Sequence, residues 1–240
     1  IGAQGMDAVY VYELQAGGQW RLQQRLNGPE GSNDFGRAVA IKGDVMFVTD
    51  PWFDGPRDSG RVYAYQRGAD GSWTLTQTIA SLVPQSHMLL GWSLKLLEDK
   101  AYISAIRKNT TGRQGAVYEY TREEGGLWVE GQEILAPLWD GQHDDSQFGN
   151  HIAVDGDTMV IGQHLFGYDR AAPEYLSNQG AAQVYRRVPG VGWQHEKMLL
   201  PSDAVANIRF GYQVMVKDDL IVVTAYLAKE DNQTNAGTAF

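Results

Sequence analysis

The sequence predicts an all-β fold, a β-propeller built of four-stranded antiparallel blades. Three observations predict it. A Tyr and a Trp recur four times at a fixed separation. A Phe-Gly or Leu-Gly pair leads each unit. A two-residue turn joins two apolar runs inside every unit.

The repeat is read from offsets. Trp20, Trp73, Trp128 and Trp193 each follow a Gly-rich or acidic turn, and each has a Tyr eight residues earlier: Tyr12, Tyr65, Tyr120 and Tyr185. Ten residues earlier stand Tyr10, Tyr63, Tyr118 and, once, Gln183. Four residues after the Trp come Gln24, Gln77, Gln132 and, once, Lys197; six after come Leu26, Ile79, Ile134 and Leu199. The leading pairs are Phe35-Gly36, Leu90-Gly91, Phe148-Gly149 and Phe210-Gly211, spaced by 55, 58 and 62 residues.

Each unit reads as four strands. Strand one is Ala38 to Ile41, Leu94 to Leu97, Ile152 to Val154 and Val214 to Val216. A turn follows at Gly43-Asp44, Glu98-Asp99, Gly156-Asp157 and Asp218-Asp219. Strand two (Val45 to Val48, Ala101 to Ser104, Met159 to Ile161, Leu220 to Val223) is almost wholly apolar, as in strands covered on both faces. Strand three alternates, as in Val62-Tyr63-Ala64-Tyr65, and strand four carries the Trp. Phe35, Leu90, Phe148 and Phe210 are expected to be buried at equivalent sites, and the repeated Trp and Tyr residues to be core.

Composition fits this. The chain has 240 residues, 28 of them Gly, 11% aromatics, no Cys and a formal charge of −9. Without Cys there are no disulfides, thiolate zinc sites or thiol nucleophiles. The acidic balance argues against nucleic acid as partner, and the lack of a run of about 18 apolar residues argues against direct membrane insertion.

The expectation is one propeller domain over 1–240, with repeats at 1–34 (partial), 35–89, 90–147, 148–209 and 210–240 (partial). The chain reads as starting in strand three, at Val9, and stopping within another strand three, at Phe240. Nothing before Val9 is expected to pair with that strand on its inner side. Two arrangements answer this. Leu220 to Val223 pairs beside Val9 to Tyr12 and closes a small ring, or further blades or a neighbouring chain cover both edges. The second, a fragment of a longer propeller, is preferred.

The stretch FGRAVAIKGDVMFVTDPWFDGPRDSGRVYAYQRGADGSWTLTQTI, Phe35 to Ile79, combines the Phe-Gly opening, the Gly-Asp hairpin and Gly-x-Val-Tyr. It resembles the FG-GAP repeat of integrin-like propeller heads and of secreted or surface proteins. The likeness is to the calcium-free branch, and the family supplies the seven-bladed total. The resemblance implies an extracellular or cell-surface location and an adhesion role. Two departures stand out. The Gly-Ala-Pro element is degraded to Thr49-Asp50-Pro51, Ser104-Ala105, Gly162-Gln163 and Thr224-Ala225. The Asp-rich loop of calcium-binding blades is replaced by a two-residue turn, too short to supply the six to eight oxygens of a calcium shell, so no cation is expected there.

Function is expected on the ends of the blades where the loops are long and varied, 50–59, 105–114, 163–179 and 226–236, with 27–34, 80–89, 135–147 and 200–209. Trp52 and Trp139 lie there outside the repeat template, among Asp54, Asp58, Asp144 and Asp145; these six are the candidates for partner binding. Asp50, Asp54 and Asp58 recur at every fourth residue as a weak metal candidate, without the spacing of a calcium loop. Asn109 and Asn232 head N-x-T sequons and are glycosylation candidates. The five His, including His143 and His164, show no metal-site spacing, and no nucleophile elbow occurs. The sequence therefore points to a non-catalytic module without cofactors, whose partner is another protein or a surface glycan. A lectin-like propeller is the alternative, and a polysaccharide hydrolase or lyase stands third.

Overall fold

The structure is a computed structural model that describes residues 1–53, 58–108, 115–137, 146–167, 178–202, 206–228 and 238–239. Among these residues the only helical element is a single 3-10 turn, Gln4–Met6, and five antiparallel sheets account for the regular structure. The first sheet is β1 (Gly2–Ala3), β2 (Ala8–Leu14) and β3 (Trp20–Asn27). The second is β4 (Val39–Lys42), β5 (Val45–Asp50), β6 (Arg61–Arg67) and β7 (Trp73–Ile79). The third is β8 (Leu90–Leu96), β9 (Lys100–Ala105), β10 (Ala116–Arg122) and β11 (Trp128–Leu135). The fourth is β12 (Ile152–Asp155), β13 (Thr158–Gln163), β14 (Ala181–Val188) and β15 (Gly192–Leu199). The fifth is β16 (Phe210–Lys217), β17 (Leu220–Ala225) and β18 (Thr238–Ala239).

Each four-stranded sheet runs in chain order, strand beside the next strand, which is the up-and-down meander of a propeller blade. The predicted strands match these within a few residues. Phe35, Leu90 and Phe148 are fully buried and Phe210 nearly so, as their shared offset requires. The two-residue turns form as expected, with Lys42 paired to Val45 and Asp155 to Thr158. Their carbonyls are occupied from within the sheet. The N–H groups of Arg67, Arg122 and Arg187 donate to the carbonyls of Asp44, Asp99 and Asp157 at 2.8, 2.9 and 2.9 Å.

The chain divides into two compact units, Ile1–Ile103 with Tyr120–Glu130, and Ser104–Glu119 with Gly131–Phe240. Inside each unit neighbouring sheets are joined by the same three devices, and these explain the repeat.

The first device is close backbone approach. Gly60, in the unit containing β6, has φ +82, and a Cβ there would overlap the carbonyl of Leu90. Gly180 occupies the same place in the other unit, with φ +85, and its Cβ would overlap the carbonyl of Phe210. A side chain is excluded at both points by backbone conformation and by space. The Gly of each Phe-Gly pair meets a small residue of the preceding sheet: a Cβ at Gly91 would lie 2.9 Å from the Thr49 Cβ, and one at Gly149 2.7 Å from the Ser104 Cβ. Thr49, Ser104 and Gly162 are the first residues of the degraded Gly-Ala-Pro element, which is why that position stays small.

The second device is a side-chain clamp. Gln24 accepts from the Trp73 N–H at 2.7 Å and donates to its carbonyl at 3.0 Å. Gln77 does the same to Trp128 at 2.8 and 2.8 Å, and Gln132 to Trp193 at 2.7 and 2.8 Å. A primary amide matches a peptide unit with one donor and one acceptor, so Gln is the side chain the position calls for.

The third device is an Arg two residues after the second Tyr. Arg67 reaches Glu13 at 2.5 Å, Arg122 reaches Gln66 at 2.8 Å, and Arg187 pairs with the buried Glu119, which also accepts from the Trp193 indole at 2.8 Å.

Two expectations are corrected. The chain does not start in strand three, and β2 does not lack an inner neighbour. Gly2 and Ala3 form β1 and pair with Val9 and Ala8, and Ile1 exchanges two bonds of 2.9 Å with Tyr10. Gly2-Ala3 therefore stands where Thr49-Asp50 stands in the second sheet, as the Gly-Ala of a Gly-Ala-Pro element. At the other end β18 pairs with β17 through Thr224–Ala239 and Ala225–Thr238. Each terminal sheet takes its third strand from its own end of the chain. The second correction concerns the core. Trp73, Trp128 and Trp193 are buried, but Trp20 is 68% exposed and Tyr12 42%.

Candidate interaction surface

The loop ends of the sheets hold the sequence candidates. Asp50 is fully buried and anchors the loop leading into its own sheet. Its carboxylate accepts from the Ser32 hydroxyl and from the Asp34 N–H at 3.0 Å. Burial raises its pKa above the usual carboxylate value despite these bonds. Gln163 does the same work at the equivalent position in the fourth sheet, donating to Ser146 Oγ at 2.8 Å and accepting from Gln183 at 2.8 Å. Asp50 thus has a structural role in this loop. Asp58 turns to His87 at 3.2 Å instead. Among the described residues no three of His, Asp and Glu come together in a way that could hold a metal.

Trp52 is half-buried and its carbonyl accepts from Asn33 Nδ2 at 3.3 Å. Asp54, Trp139, Asp144, Asp145, Asn109, Asn232 and His143 lie outside the described residues.

The sequence missed the residue that follows each Phe-Gly pair, because it varies. In the first unit Arg37 stacks over the Trp92 ring at 3.8 Å, and Arg37 also pairs with Asp34 at 3.5 Å. In the second unit Asn150 Nδ2 donates to the Tyr212 carbonyl at 2.7 Å. The variation itself was the signal: a template position that keeps its place and changes its chemistry faces something other than the core.

In the second unit Tyr212 belongs to a larger group. Its ring lies 4.3 Å from that of Tyr226, and the two are 38% and 36% exposed. The Arg209 guanidinium donates to the Tyr226 hydroxyl at 2.6 Å. His164, 5% exposed, meets the Tyr212 ring edge-on at 5.4 Å. Burial and the nearby Arg209 charge push its pKa down to about 4, so it is neutral at pH 7. Its Nδ1 is buried without a hydrogen-bond partner among the described residues. Asn178 Nδ2 donates to Asn207 Oδ1 at 3.2 Å. Backbone bonds tie the segments together: Arg209 N–H to the Asn178 carbonyl at 3.1 Å and Leu227 N–H to the Ile208 carbonyl at 3.3 Å. The left-handed φ of Arg209 (56°) and Asn207 (63°) recurs at Leu89 (57°) and His87 (58°) in the first unit. It is a feature of the loop architecture and not of this cluster.

Sheets of this order, joined within each unit through glycine contacts, are propeller blades. Residues 128–185 and 193–240 match the FG-GAP repeat, each match starting at a repeated Trp. Those two stretches carry the repeat, and the other sheets follow the same strand order in structure. No curated protein matches the chain.

Proposed function

We propose that the chain is a non-catalytic binding module of an extracellular or surface protein, serving adhesion or assembly through the loop ends of its blades. One observation carries this. The opposite ends are two-residue turns whose carbonyls are filled by Arg67, Arg122 and Arg187. The loop ends instead present the exposed Tyr212–Tyr226 pair on segments held by backbone hydrogen bonds. Rigid scaffolds with variable loops place their contacts on the loops. The location follows from the FG-GAP resemblance and the adhesion role from the same analogy. The lectin-like reading is favoured by the paired tyrosines and is developed below.

The test is binding to arrays of cell-surface proteins and glycans, repeated with Trp52→Ala and Tyr226→Ala at the loop ends and Asp44→Asn and Asp157→Asn at the turns. Loss with loop variants alone supports the reading; loss with turn variants alone overturns it.

A further inference from the structure

We infer that the group formed by His164, Arg209, Tyr212 and Tyr226 is a binding site for a glycan bearing a carboxylate, such as a uronic-acid oligosaccharide. The inference rests on the reading that the loop ends bind, and it names the ligand class of one such end.

Three observations converge. Tyr212 and Tyr226 leave more than a third of their surface open while touching each other at 4.3 Å, inclined by 48°. Two adjoining aromatic rings, inclined to one another, offer apolar surface to the C–H face of a pyranose, which also needs polar groups at the rim. The rim is polar here: Arg209 beside Tyr226, and the Asn178–Asn207 amide pair, tied to Arg209 through the Asn178 carbonyl. Amides offer both a donor and an acceptor, as sugar hydroxyls require.

The carboxylate preference comes from Arg209. A guanidinium carries five N–H donors, and among the described residues one goes to the Tyr226 hydroxyl and none to a carboxylate. In a chain of net charge −9 this cation has no acidic partner among the described residues, and it lies next to a neutral histidine. A planar cation fixed at its neighbour's hydroxyl is set for a bidentate contact with a carboxylate. The His164 Nδ1, buried and unpaired beside Tyr212, is the kind of unsatisfied polar atom found where a water or ligand group completes the site. The platform is preformed, since its segments are joined by their own backbone bonds, so ordering cost on binding is low.

The experiment is calorimetric and NMR titration of the intact chain with tri-galacturonate and tri-glucuronate, and with the matching neutral trisaccharides. The acidic sugars are expected to bind more tightly than the neutral ones. Tyr212→Ala is expected to weaken both by about tenfold or more. Arg209→Gln is expected to weaken the acidic sugars by about tenfold and leave the neutral ones unchanged. Tyr226→Phe keeps the floor and releases Arg209, so it is expected to lower only the preference for acid; it also serves if Tyr212→Ala fails to fold. No binding of the acidic sugars up to about 10 mM, or binding indifferent to Tyr212→Ala and Arg209→Gln, overturns the inference. Equal affinity for acidic and neutral sugars overturns its carboxylate part. If array ligands are lost with Trp52→Ala but kept with Tyr212→Ala and Arg209→Gln, this site fails while the loop-end reading stands.

Discussion

Trp20 and its three counterparts occupy the same place in the repeat and live in different surroundings. Trp73, Trp128 and Trp193 are 6%, 4% and 2% exposed, each with its backbone held by a Gln of the preceding sheet. Trp20 is 68% exposed, and Leu14, which stands where Arg67 stands in the next sheet, is 53% exposed. The first sheet buries Val9 and Leu26 in a cluster with Phe35, Met46 and Tyr63. Its other surface contributes Tyr12 and Trp20 to an apolar cavity of about 560 Å³ that also takes in Val39 and Ile41. Burial of the repeated Trp is therefore a property of the junction between two sheets and not of the blade that carries it. A blade is half of two interfaces, as in other repeat proteins whose units are stable only in contact.

The comparison is broken most severely at the glycines. Gly18 and Gly180 share a left-handed backbone, φ +77 and +85. A Cβ at Gly18 would meet nothing within 4 Å, whereas one at Gly180 would overlap the Phe210 carbonyl. Gly18→Ala is expected to cost about 1 kcal/mol, from backbone strain alone. Gly180→Ala adds displacement of the adjoining sheet and is expected to exceed about 4 kcal/mol. Urea unfolding of both variants measures the gap. Equal losses would mean that the sheets do not need this approach.

Next comes the Trp itself. Trp193→Ala removes a buried indole, its bond to Glu119 and its stacking with Arg187 at 4.9 Å. The expected loss is about 3–5 kcal/mol, against less than about 1 kcal/mol for Trp20→Ala. Chemical denaturation of the two variants decides, and a large loss at Trp20 would show that its surface is covered in solution.

The clamps sharpen the same contrast. Gln132→Ala leaves the Trp193 N–H and carbonyl without their partner and is expected to cost about 1–3 kcal/mol. Amide exchange at Trp193 should accelerate in that variant while exchange at Trp73, held by Gln24, stays as it was.

Much of this was legible beforehand. Hydrophobic periodicity and turn chemistry placed the strands because each blade obeys local rules at fixed offsets. Gln24, Gln77 and Gln132 were visible as a pattern, but their meaning was not, since a clamp joins residues 49 to 61 apart in sequence. Gly2-Ala3 escaped because two residues carry no periodicity; only the comparison with Thr49-Asp50 and Gly162-Gln163 identifies them. Trp20 was assigned to the core because a template records what a residue is and not whether its neighbour is there. The Tyr212–Tyr226 group escaped for a related reason: it is assembled from the start of β16 and the residues just after β13 and β17, and variation at the position after Phe-Gly has no motif to recognise.

The smallest expected effect contrasts sheets by pH. The position two residues after the small contact residue holds Pro51, Ile106, His164 and Tyr226 in successive sheets, so His164 alone titrates there in the acid range. Its folded pKa is about 4, below the ordinary histidine value of about 6.5, because burial and Arg209 disfavour the charged ring. Between those two values the unfolded chain binds more protons than the folded one. Stability contributed by keeping His164 neutral is therefore present above about pH 6.5 and is lost as the pH falls towards 4. At pH 5.5 the loss relative to pH 8 is on the order of 1 kcal/mol. The raised pKa values of Asp34 and Asp50 act in the opposite sense, since protonating them favours the folded state, so the wild-type curve alone mixes the signs. The difference between wild type and His164→Gln isolates the histidine, because both proteins share the two carboxyls. Urea midpoints at pH 8 and 5.5 should converge as the pH falls, the variant losing less than the wild type. A constant difference across that range would show that the ring is not held neutral, and would put His164 in contact with water rather than behind Tyr212.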